Sequence, residues 1–142
     1  MDIPAPVWDA RVPLSTSRIR PSAAGRQRLQ RRTVLNFEVE SRIESDRAIV
    51  AVRGDFDLQV TERVVAELTK VEEQAPALLV VDLSGLSFLD SSGMGVIAAA
   101  QARAAEAGRR IVFVRPPYTV RRAFELSGFN EVIEVVDDLD SV

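Results

Sequence analysis

The chain has neither cysteine nor histidine. Without cysteine there is no disulfide and no thiol nucleophile, and without both residue types there is no zinc site built on sulfur or imidazole. The missing histidine also removes the usual general base that activates a catalytic serine. Lysine is almost as scarce: Lys70 is the single example, and it stands on a plain helix face. Serine–lysine chemistry therefore has nothing further to rest on. No apolar stretch approaches the roughly 18 residues of a membrane span. Met1 to Ala10 holds prolines, two aspartates and a tryptophan rather than a basic-then-apolar secretion signal. These absences predict a cytoplasmic protein that uses no metal or cofactor, contacts no membrane and is not an enzyme.

What is there suffices for one domain. A chain of 142 residues that is 46% hydrophobic can close a single core. Its net charge of −3 hides an asymmetry. Residues 1–33 carry seven arginines (11, 18, 20, 26, 28, 31 and 32) against Asp2 and Asp9, a balance of +5. The remainder carries eleven basic against nineteen acidic residues, a balance of −8. The first 33 residues show no sustained apolar period and read as a basic, flexible N-terminal extension. Such a segment is a simple leader, an arm for an acidic partner or nucleic acid, or an arm for the chain's own acidic body. The lysines and aromatics that accompany nucleic-acid binding are missing from it apart from Trp8. No direct nucleic-acid contact is expected.

Val34 to Glu44 alternates through Leu35, Phe37, Val39 and Ile43, the pattern of a half-buried strand. Ala48 to Val52, ending at Gly54, is its hairpin return. Gly54-Asp55-Phe56-Asp57 reads as a loop before an amphipathic helix from Val60 to Val71, with Val60, Val64, Leu68 and Val71 at helical spacing. Pro76 ends that segment. Leu78 to Leu83 is a nearly unbroken apolar run, which predicts a strand buried on both faces. Ser84-Gly85 reads as a short polar turn, followed by an apolar knot at Leu86, Phe88 and Leu89. From Met94 a helix carries Val96, Ile97, Ala100, Ala104 and Ala107 on its inner face and closes at Gly108. Ile111 to Val114 is a further buried strand. Val120, Phe124 and Leu126 mark a third helix that stops at Ser127-Gly128, and Val132-Ile133 with Val135-Val136 suggests a last edge strand. This order predicts an α/β fold, a mixed sheet of about four to five strands packed with about three main helices.

The chain is organised around Asp90-Ser91-Ser92-Gly93-Met94-Gly95, which joins the buried strand to the alanine-rich helix. Asp-Ser-Ser before an apolar-periodic run is a helix N-terminus. There the helix dipole and unsatisfied N–H groups favour negative charge, a good place to accept or hold a phosphate. The same residues serve equally as a plain cap, worth about 1 kcal/mol, and one serine for each role is compatible with both. Asp57 fits a helix cap or a partner contact. Gly93 and Gly95 fit close packing on the sheet, Gly93 alternatively fits room for a partner's nucleotide-bearing loop, and Met94 fits the core or an exposed anchor. A phosphate-binding loop or a nucleophile elbow does not fit, since Gly-Lys-Ser/Thr and Gly-x-Ser-x-Gly are both absent.

Asp82-Leu83-Ser84, Phe88 and Asp90-Ser91-Ser92-Gly93-Met94-Gly95 together resemble the STAS family, and within it the bacterial anti-sigma factor antagonists. The hallmark of that family is a strand ending in Asp-x-Ser, an aromatic, then Asp-Ser-(Ser/Thr)-Gly-(apolar)-Gly and a helix. Gly54-Asp55-Phe56-Asp57 looks like the family's Gly-Glu-(apolar)-Asp loop. Arg121 to Gly128 is similar to its third helix with a Ser-Gly ending. The resemblance covers roughly Val34 to Asp140 in matching order, so a STAS domain over 34–142 is expected. One departure is Val60, which stands where the family's loop usually has Thr, with Thr61 next.

The resemblance implies a partner-switching protein. Unphosphorylated, such a protein binds an anti-sigma factor that is also a serine kinase, and so frees a sigma factor for transcription. The kinase phosphorylates the serine after the motif Asp, the complex falls apart, and a serine phosphatase resets it. Carried over, the acceptor is Ser91, with Ser92 as runner-up. Asp57, Asp90, Ser92, Gly93 and Met94 would make the partner-binding surface. An alternative within the family is a STAS module of a signalling complex, or one that binds a small ligand or nucleotide, with no role on a sigma factor.

Overall fold

The computed structural model describes residues 36–142. The basic extension over residues 1–33, and Val34 and Leu35 of the expected first strand, lie outside the described residues. Strand β1 (Phe37–Glu44) and strand β2 (Arg47–Phe56) form an antiparallel hairpin with Glu44 opposite Arg47. Ser45 and Asp46 make the two-residue connection, and Ser45 takes a positive φ of 57°, as the tightest hairpin turns require. Alternation then decides the faces. Phe37 and Val39 lie opposite Gly54 and Val52 and point into the main core, while Glu38, Glu40 and Arg42 take the other side.

Helix α1 (Thr61–Glu72) buries Val64, Leu68 and Val71, the stripe its sequence spacing predicts. It leads into strand β3 (Leu78–Leu89) at the centre of the sheet. Helix α2 (Ser91–Ala107), strand β4 (Arg110–Val114), helix α3 (Tyr118–Ser127) and the two-residue strand β5 (Val135–Val136) come after it in the chain. The sheet order is β1-β2-β3-β4-β5, with β1 antiparallel and the rest parallel. All three helices contribute to one core with Val50, Val81 and Phe113 of the strands. On the opposite face Ile49, Val80, Val112 and Val114 form a smaller cluster, covered in part by Leu139 and Val142 of the C-terminal segment. That cover explains why the run from Leu78 reads as apolar on both faces.

Several local readings give way to tertiary pairing. Ser84-Gly85 is not a turn: β3 runs through it for twelve residues and stays paired to β2 as far as Phe56 opposite Leu89. The loop expected at Gly54 to Asp57 is correspondingly strand up to Phe56. Register shifts between Ala51 and Arg53 and between Gly54 and Asp55 absorb the irregularity, and Gly54 supplies a φ of 92°. Gly85 is where a neighbour approaches closely. A Cβ there would lie 2.8 Å from Cγ of Arg53, whose guanidinium goes on to Glu40 at 3.1 Å. In α3, Val120 and Phe124 are buried but Leu126 is 76% exposed, because a residue two after Phe124 points to the far side of the helix. Ala107 likewise lies outside the inner stripe of α2, which is Gly93, Ile97, Ala100 and Ala104. Ile133 enters the core without joining a strand. Among the described residues no helix is long and apolar enough to cross a membrane.

Candidate functional site

The parallel pairing of β2 and β3 puts two aspartates side by side. Phe56 lies opposite Leu89, so Asp57 and Asp90 each come directly after the last residue of adjacent strands, at the same edge of the sheet. The Asp90 N–H donates to the Phe56 carbonyl at 3.2 Å, tying the two strand ends together. Both aspartates keep extended backbones, and each caps the helical turn next to it in the chain. Asp57 Oδ1 accepts from the Gln59 N–H at 3.0 Å and caps the 3-10 turn Leu58–Val60. Asp90 Oδ1 accepts from the Gly93 N–H at 3.0 Å and from the Ser92 hydroxyl at 2.6 Å. Asp57 therefore caps a short turn, one step ahead of the helix that its sequence position suggests.

The two serines are thereby separated. The Ser92 hydroxyl is half-buried and committed to Asp90. Ser91, the first residue of α2, is exposed, and its hydroxyl has no hydrogen-bond partner among the described residues. It stands at the N-terminus of a 17-residue helix, where the dipole favours an added anion. Gly93, read both as a close-packing residue and as one of the partner-binding set, is turned inward. A Cβ on it would lie 2.5 Å from Cδ1 of Leu89 and 3.1 Å from the Phe56 ring, so close packing accounts for its missing side chain. Met94 is partly buried against the main core. Two apolar side chains that sequence patterning does not mark as surface are exposed: Leu58 at 70% and Phe88 at 49%. A signal for Leu58 exists, since it falls two residues out of step with the stripe starting at Val60. Among the described residues no group of three or more acidic side chains is placed to hold a metal ion.

Asp90 is held below the ordinary aspartate range. The Ser92 hydroxyl is the main cause, opposed by partial burial and helped by the N–H groups of Gly93, Ser92 and Leu58. A depressed folded-state pKa contributes stability that is present above the unfolded value, 3.8, and is lost as pH falls through the folded value. Asp90→Asn keeps a capping oxygen but removes the charge. The variant is expected to melt a few degrees below wild type between pH 5 and pH 8, with the gap narrowing as pH falls below the unfolded value of 3.8. Melting curves across pH check this, and a gap that persists unchanged at the acid end would contradict it.

The family profile described as "Mlab, STAS domain" matches residues 39–137. A relative named anti-sigma F factor antagonist, from Lysinibacillus sphaericus, is 25% identical over 95 residues, covering 66% of this chain and 80% of its own. An anti-sigma-B factor antagonist from Listeria monocytogenes is 25% identical over 101 residues, covering 71% of this chain and 88% of its own. Among solved structures, an anti-sigma factor antagonist from Mycobacterium paratuberculosis has the same fold. Its TM-score is 0.69 at 23% identity, with 74% of this chain and 89% of that one covered.

Proposed function

Since the chain belongs to the STAS domain family, we propose that it is an anti-sigma factor antagonist whose binding is switched by phosphorylation of Ser91. Unphosphorylated, it binds an anti-sigma factor that is itself a serine kinase, and the sigma factor is released. The observation that carries this reading is the exposed Ser91 hydroxyl, without a hydrogen-bond partner among the described residues, beside a Ser92 hydroxyl already donated to Asp90. In the transfer, Ser91 Oγ forms a bond to the γ-phosphorus of ATP as the bond to ADP breaks, and the hydroxyl proton passes to a base on the kinase. A phosphatase returns the serine by hydrolysis.

The protein itself bears the phosphate easily. A charge of about −1.5 to −2 arrives at a helix N-terminus, where it is favoured. The partner does not bear it. Leu58 and Phe88 offer apolar surface near the turn, so a bound partner excludes water from it, while Asp57 and Asp90 already make it acidic. A dianion trapped there is desolvated and repelled.

The experiment is incubation with ATP and each purified serine-kinase anti-sigma factor of the source genome, followed by mass spectrometry. One phosphate on Ser91 is expected from one of them. Phosphate on Ser92 alone, or on neither serine with every kinase tried, would defeat the reading.

A further inference from the structure

Two glycines stand two residues apart in the first turns of α2, and only one has a reason among the described residues. Gly93 faces inward, where Leu89 and Phe56 leave no room for a Cβ. Gly95 is exposed, and among the described residues a Cβ on it would meet nothing within 4 Å. Its backbone is not left-handed, since among the described residues the positive-φ glycines are Gly54, Gly108 and Gly128. A glycine inside a helix destabilises it relative to alanine, because the unfolded chain has more freedom to lose. Nothing within the described fold calls for glycine at position 95.

The kinase supplies what the fold does not. Resting on the reading of Ser91 as the acceptor, the catalytic groups must approach to about 3–3.5 Å from its Oγ. A specific complex covers about 800 Å² on each partner. Gly95 is four residues beyond Ser91, on the same helix face and about 6 Å along the axis. It therefore lies inside any footprint centred on the acceptor. We infer that Gly95 is the point where the kinase brings its own backbone against helix α2. The missing side chain leaves space for that partner, held at a small cost in the helix's own stability.

The inference predicts opposite signs for stability and binding. Gly95→Ala should raise Tm by a few degrees. The same variant should bind the kinase that modifies Ser91 about tenfold more weakly, and Gly95→Leu about a hundredfold more weakly, with Tm not reduced. Titration calorimetry on the unphosphorylated full chain and thermal melts read both quantities. If wild type binds and is phosphorylated while both variants bind as tightly, the open space has no use and the inference fails with the function intact. If wild type neither binds nor is phosphorylated by any of the kinases, the functional reading fails and takes this inference with it.

Discussion

Ser91→Glu is expected to bind the cognate kinase about a hundredfold more weakly than wild type, or worse, while melting at the same temperature or higher. The two halves of that result come from one geometry. At the first residue of α2 a carboxylate sits at the positive end of the helix, worth about 0.3–1 kcal/mol of stability. Ser91 is exposed, so the longer side chain displaces nothing. In the complex the same carboxylate lies between the partner and an edge that already carries Asp57 and Asp90. Leaving a charge unpaired in an interface costs about 2–5 kcal/mol, which is roughly thirtyfold to several thousandfold in affinity at 1.4 kcal/mol per tenfold. Ser91→Ala should bind as wild type does and stay bound when ATP is added. Binding isotherms for the three proteins, with melts alongside, test the pair. Equal affinities across all three would remove the electrostatic switch, whatever the kinase does to Ser91.

Much of this geometry can be read from the sequence because it is local. The stripe of Val64, Leu68 and Val71, the cap at Asp90 and the left-handed closures at Gly108 and Gly128 each arise from neighbours a few residues apart. The features that sequence patterning misses depend on distant pairing. Ser84-Gly85 has the composition of a turn, but the outer half of β2 holds it in the sheet, and no local pattern announces a register shift on a strand thirty residues earlier. The distinction between Ser91 and Ser92 is of the same kind. The two hydroxyls are chemically equivalent, and only the folded turn sets one 2.6 Å from Asp90 and leaves the other open. Gly93 and Gly95 are an intermediate case. Two residues apart on a helix means nearly opposite faces, and the inner stripe of Ile97, Ala100 and Ala104 extended backward selects Gly93. That phase is legible in the sequence, but the depth of the packing against Leu89 is not.

That packing gives the last large expectation. Gly93→Ala should destabilise the fold, although alanine is the better helix former by about 0.5–1 kcal/mol. The added methyl would stand 2.5 Å from Cδ1 of Leu89, which real Cβ atoms essentially never do, and the Phe56 ring at 3.1 Å closes the other direction. Leu89 and Phe56 are both in the main core, so neither yields without disturbing others. Overpacking of this kind costs about 1–3 kcal/mol, which outweighs the propensity gain. Each kcal/mol of net loss lowers Tm by roughly 4–8 °C in a domain of this size. A helix that cannot seat its first turn also moves the Asp90 cap, so Ser91 loses its fixed position with the core. The cause can be isolated by a second change. Leu89→Ala alone removes a buried side chain and should cost about 2–5 kcal/mol. In the Gly93→Ala background it should cost less by at least about 0.5 kcal/mol, because the two side chains compete for one space. Denaturant unfolding of the four proteins measures that coupling. Strict additivity would mean that position 93 is glycine for a reason other than the contact with Leu89.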